Sequence, residues 1–108
     1  MDNEDKSREV IRTFFIAGVQ HHQLYKVIDK IEVGTELKMN PVDDNEYDPN
    51  AVELLFEGTM CGFVPMKFSP QITGLLEIND DLKCTVSFLN KEAKPWEQCK
   101  VEIWREIK

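Results

Sequence analysis

The nine residues from Asp44 to Val52, DNEYDPNAV, bring three carboxylates, two asparagines, one tyrosine and one proline together just ahead of an apolar run. Carboxylates at that density can bind calcium, work in pairs in hydrolysis, or accept hydrogen bonds from a ligand. Asparagine, aspartate and proline can equally do no more than shape a turn. A calcium loop begun at Asp43 or Asp44 puts Asp48 or Pro49 where the sharp bend requires glycine, and Leu54 or Leu55 where the bidentate glutamate belongs. The EF-hand reading fails. Paired-carboxylate hydrolysis needs two acids facing each other across a cleft, whereas Asp43, Asp44 and Asp48 are neighbours in one loop. His21 and His22 stand side by side with no further histidine, and adjacent side chains on a regular element point apart, so no metal site is assigned. Two readings of the loop survive: a tight bend started by Asp48 and Pro49 into the following strand, or a non-catalytic binding site.

Nucleophilic catalysis fares no better. Cys61, Cys84 and Cys99 are odd in number, lack a C-x-x-C pair, and fall within or at the ends of strand patterns. They read as small core hydrophobes kept reduced in a cytoplasmic setting, and burial keeps such thiols inert. No catalytic residue and no cofactor emerges, and the chain is not read as an enzyme.

The elements around the loop follow from periodicity. IRTFFIAGVQ, ending at His21 and His22, has the aromatic and branched composition of a buried strand. Leu24, Val27, Ile28 and Ile31 then fall on one stripe of a short helix, with Gly34 as its stop. TELKM alternates, placing Leu37 and Met39 on one face of a second strand. In AVELLFEGTMCGFV the Glu57–Gly58 pair between two apolar runs predicts a hairpin, with Val52, Leu54 and Phe56 facing the core. Ser69 and Pro70 suit the cap and first turn of a helix over SPQITGLLEIN that buries Ile72, Leu75 and Leu76, with Gly74 weakening it. Finally LKCTVSFLN and CKVEIWREI alternate as an antiparallel pair joined by KEAKPWEQ. One face of that pair carries Leu82, Cys84, Val86 and Phe88, matched by Cys99, Val101 and Ile103. The sum is a mainly β fold with two short helices (α+β), a small modified β-barrel of the OB or SH3-like kind with about six strands.

With 108 residues, 42% of them hydrophobic, the chain is sized for one domain over residues 10–108, preceded by a flexible acidic tail over residues 1–9. The longest unbroken apolar run, Phe14 to Val19, is six residues, where a membrane span needs about 20. No membrane crossing is expected. Thirteen basic against twenty acidic residues give a formal charge of −7, a field that repels phosphate backbones and anionic membranes. Any contact with nucleic acid must therefore be local.

FFIAGVQ followed by a helix, GTEL, DNEYDPNAV, a hairpin and CGFVP resembles the HIRAN domain. The likeness runs roughly from Phe14 to Ile78, and its most specific part is the loop N-x-Y-D-x-N-A, here Asn45, Tyr47, Asp48, Asn50 and Ala51. HIRAN modules occur attached to helicases of replication-fork repair, and alone in bacterial and phage proteins. The resemblance implies a small modified barrel that grips the free 3′ end of single-stranded DNA. Tyr47 would then contact the terminal nucleotide through its ring, Asp48 would accept a hydrogen bond from the 3′-hydroxyl, and Asn45 would position the loop or touch the sugar. Phe15 and Phe63 would line the groove, with Lys67 the nearest cation, since Met66 follows Pro65 where many relatives carry a basic residue.

Two rival readings stand beside that one. The acidic balance and the missing basic positions suit a protein-interaction or regulatory module that binds no nucleic acid, taking a peptide in the same groove or along an edge strand. Trp104, in line with Lys100 and Glu102, could mark a self-association face, set against a tryptophan half-covered by the loop around Trp96. The expectation is a monomer, with a single-stranded DNA end as ligand and a helicase or nuclease as possible protein partner.

Overall fold

A computed structural model describes residues 7–78 and 81–107. Among these residues six strands form two antiparallel sheets of three. The first contains β1 (Arg8–Phe15), β6 (Cys99–Glu106) and β5 (Lys83–Leu89), in that spatial order. The second contains β2 (Lys38–Pro41), β3 (Val52–Phe56) and β4 (Thr59–Phe63). Two short bridges join the sheets. At one, Ala17 and Phe63 exchange both backbone hydrogen bonds, at 2.9 and 2.8 Å. At the other, Glu36 pairs with Thr85, with Leu37 N–H donating to Cys84 and Val86 N–H to Thr35, each at 2.8 Å. The circuit β1, β6, β5, β2, β3, β4 is thus closed into a small barrel, the mainly β fold with two short helices that the periodicity predicts.

One core fills the barrel. Val52, Leu54 and Phe56 from β3 meet Val86 from β5, Val101 and Ile103 from β6, and Ile16 beyond β1. The stripe Leu24, Val27, Ile28 and Ile31 is buried as expected, but its helix is only α1 (Leu24–Val27), followed by a 3-10 turn over Ile28–Lys30. Val27 leaves helical geometry (φ −121°, ψ −3°), and successive β-branched residues have little to lose there. The β3–β4 hairpin turns through Glu57 and Gly58 with φ of 49° and 88°, the paired positive values that match the right-handed twist of a hairpin.

Four local expectations are corrected. The opening strand starts earlier than its apolar run: Arg8 and Glu9, expected in the tail, pair with Glu106 and Arg105, while residues 1–6 of that tail lie outside the described residues. Phe88 does not share the face of Val86. Between Val86, opposite Val101, and Phe88, opposite Lys100, β5 carries one extra residue, a bulge at Ser87 that turns Phe88 to the outer surface, where it is 41% exposed. Ser69 opens α2 (Ser69–Ile78) without capping it. The turn already runs from Pro65, whose carbonyl accepts the Ser69 N–H, so the hydroxyl is left for a tertiary contact; Asn79, the last residue of the expected helix, lies outside the described residues. Trp104 is half-buried, but not by the Trp96 loop. The Arg8 guanidinium lies 3.8 Å from its ring centroid, and its indole N–H donates to Thr85 Oγ1 at 3.2 Å.

Candidate nucleic-acid interface

The loop between β2 and β3 is built by its own polar side chains. Val42 N–H donates to the Ala51 carbonyl at 2.8 Å and closes the base of the loop. Asn45 Oδ1 accepts the N–H groups of Tyr47 at 2.8 Å and Asp48 at 3.0 Å, an Asx turn that pins both sides of the bend. The Asp48 carboxylate divides its work: Oδ1 accepts Asn50 N–H at 2.9 Å, and Oδ2 accepts the Ser69 hydroxyl of α2 at 2.6 Å. One helical turn on, the Thr73 hydroxyl donates to the Asn50 carbonyl at 2.7 Å. Helix α2 therefore clamps the loop at two points, and Ser69, with no exposed surface, is the one buried polar side chain among the described residues.

That clamping leaves the aromatic side chain of the loop with no internal task visible in these bonds. The Tyr47 ring is 78% exposed although the backbone beneath it is fixed on both sides. The ring is therefore presented to solvent from a backbone that is already ordered, so a partner stacking on it would need to order little more than the side chain.

The facing wall comes from β4 and the chain leaving β1. Gly62 lets them meet: a Cβ there would lie 2.5 Å from both the Ala17 carbonyl oxygen and Ile16 Cγ2. Gly18 turns the chain with φ +71°, a conformation that favours glycine. Phe63 then projects beside Ala17 with its ring packed edge-on against His22, centroids 5.1 Å apart. Tyr47, Asp48, Asn45, Phe63, Gly18 and Met66 surround a mostly apolar cleft of about 210 Å³. Pockets for drug-sized ligands measure roughly 300–1,000 Å³, so this smaller cleft suits one ring or one side chain. A larger groove of about 560 Å³ lies between β2 and the start of β5, floored by Leu37, Met39, Leu82 and Cys84, and none of the motif residues reaches it.

Of the residues singled out in the sequence, Asn45, Tyr47, Asp48 and Phe63 converge on the cleft. Phe15 and Lys67 do not. Lys67 lays its ammonium 5.1 Å from the Phe68 ring centroid, a ring that Arg12 also covers at 5.0 Å. Phe15 alternates with buried Phe14 and Ile16, so it lies on the outer side of the chain, as Ala17 does two residues on. There it meets Phe88 edge-on, centroids 6.1 Å apart, with the Lys100 ammonium 5.1 Å from its ring. This aromatic and cationic row sits on the outer face of the β1–β6–β5 sheet, where Phe15, Lys100 and Phe88 stand opposite one another. Met66 lines the cleft, Ser69 anchors its loop, and Phe88 and Lys100 join Phe15 on the separate outer row; none of the four is singled out as a site residue by the sequence. A bulge hid Phe88, and the Ser-Pro pair disguised Ser69 as a cap.

The arrangement can accept hydrogen bonds and offer ring faces. A carboxylate has about four lone-pair sites, so Asp48 retains capacity for a further donor beyond its two internal bonds. The thiols stand apart from this: Cys61, Cys84 and Cys99 are free and buried in the core, and burial pushes all three pKa values up, that of Cys99 to about 12. Among the described residues no group of three or more histidine, cysteine, aspartate or glutamate side chains could hold a metal ion, and no helix is long and apolar enough to cross a membrane.

Comparison with known proteins gives the family and the fold. The HIRAN domain family model matches residues 12–108, nearly the whole chain. The fold is shared with a protein from Lactobacillus plantarum at a TM-score of 0.78 and 16% identity, covering 94% of this chain and 97% of that one. It is shared also with the HIRAN domain of human HLTF at a TM-score of 0.64 and 10% identity, over 94% of this chain and 82% of that one. No curated protein sequence matches significantly. A small closed barrel of six strands is the class of structure, and the chain belongs to the HIRAN domain family.

Proposed function

We propose that this chain is a non-catalytic binding module whose Tyr47 cleft takes the 3′ end of a single strand of nucleic acid, DNA before RNA. The observation that carries the reading is the exposed Tyr47 ring on a loop fixed beneath it by Asn45 and Asp48. In this reading the terminal base stacks on Tyr47 against the Phe63 wall, and Asp48 accepts a hydrogen bond from the 3′-hydroxyl. Aromatic–base stacking contributes about 1–3 kcal/mol per base and tolerates any sequence. Asn45 acts through the loop it shapes. The next nucleotide runs over Phe15 and Phe88, with Lys100 meeting a phosphate.

The electrostatics set the scale of binding. With Lys67 drawn onto Phe68 and a net charge of −7, about one phosphate is neutralised. Raising salt from about 50 to 200 mM then weakens binding only about threefold. A grip this local suits work beside a helicase or nuclease that holds the rest of the strand. The test is Tyr47→Ala. Because Tyr47 is 78% exposed, the variant keeps the wild-type melting temperature while strand affinity falls at least about fivefold. Undiminished affinity would overturn the proposal.

A further inference from the structure

We propose that the Tyr47 cleft has a second client: the arginine side chain of a basic segment on a protein partner. This goes beyond the nucleic-acid reading, since the two ligands would compete for one site. The argument is charge and shape. The cleft offers two aromatic rings, Tyr47 and Phe63, and the Asp48 carboxylate, and among the described residues no lysine or arginine lines it. Asp43, Asp44 and Glu46 stand exposed on the same loop. Lys67, one residue from Met66 on the rim, is turned onto Phe68. The local field therefore attracts cations and opposes a run of phosphates, in line with the net charge of −7.

Among cations, a guanidinium fits best. It is planar and weakly hydrated, stacks on aromatic faces, and donates in a fork that a carboxylate can accept. Asp48 has lone pairs to spare for it, and Ser69 and Asn50 already hold that carboxylate still, so little ordering is required on binding. A volume of about 210 Å³ admits one such side chain. The chemistry of the partner is then an exposed, basic, extended segment presenting arginine.

The experiment is a titration of the full chain, isotopically labelled and followed by amide NMR, with acetyl-Gly-Arg-Gly-amide at millimolar concentration. The same peptide carrying citrulline, a neutral isostere, is the control. The arginine peptide is expected to shift the amides of Ala17, Gly18, Tyr47, Asp48 and Phe63 saturably, with the citrulline peptide at least about tenfold weaker. Tyr47→Ala, a surface change that spares the fold, should weaken the effect at least about fivefold. Equal shifts from both peptides, shifts spread over the acidic surface instead of the cleft, or an unchanged response in Tyr47→Ala would overturn the proposal. A parallel titration with a short single strand keeps the two readings separable. A strand that leaves the cleft amides unmoved counts against the nucleic-acid function alone.

Discussion

Removing the Ser69 hydroxyl tests whether α2 holds the recognition loop in place. The hydroxyl carries one proton and has two acceptors in reach, Asp48 Oδ2 at 2.6 Å and the Met66 carbonyl at 3.0 Å. The shorter, charge-assisted bond to the carboxylate takes it. Hydrogen bonds to charged groups contribute about 1.5–3 kcal/mol, and Ser69 has no exposed surface through which water could replace the lost partner. Ser69→Ala should therefore destabilise the fold by about 2 kcal/mol, read as a lower urea midpoint with an unchanged slope. The double-mutant cycle with Asp48→Ala isolates the pair, and its coupling energy should reach about 1.5 kcal/mol. Strand binding should weaken as well, since the carboxylate loses one of its two fixed partners. A destabilisation below about 0.5 kcal/mol, the range of an ordinary surface change, would refute the clamp.

Three further outcomes follow from the same structure. Gly62→Ala should cost about 1–3 kcal/mol or more, because its Cβ would stand 2.5 Å from the Ala17 carbonyl oxygen and force β4 from the wall of the cleft; a variant that unfolds like wild type would show that this approach is not tight. Glu57→Gly should raise stability by about 1 kcal/mol, since Glu57 sits at φ 49° in a turn that glycine enters freely; a lower melting temperature would contradict that. Stability should also fall above about pH 9. The buried Cys84 and Cys99 keep their protons when folded, the unfolded chain releases them first, and each thiol costs about 1.4 kcal/mol per pH unit until its raised pKa is reached. A urea midpoint flat between about pH 9 and 10 would exclude this linkage, and Cys99→Ala should flatten the slope in part.

Much of this architecture is legible in the sequence, and what is not has identifiable physical causes. The apolar stripe from Leu24 to Ile31, the inward residues of β3 and the turn at Glu57 and Gly58 follow from local periodicity and turn chemistry, and each is where those rules put it. Period-two alternation cannot foresee a bulge, so Ser87 shifts Phe88 to the outside unannounced. The motif loop announces its polar residues, but only the fold shows that Asn45, Asp48 and Asn50 bond within the loop and to α2, leaving Tyr47 projecting. Long cationic side chains are the least legible. Lys67 is adjacent to the cleft in sequence and turned away in space, and Arg8 reaches from β1 onto the neighbouring β6 to cover Trp104 from the far end of the chain.

The most direct test of the central claim compares two ends of one ligand. Fluorescence anisotropy at low salt, with a single strand of about ten nucleotides, would set a free 3′-hydroxyl against a 3′-phosphate. A phosphate brought against Asp48 loses the hydrogen bond and gains like-charge repulsion, so the hydroxyl end should bind at least about tenfold tighter, and Tyr47→Ala should erase the difference. Equal affinity for the two ends would contradict an end-reading site at Tyr47 and Asp48.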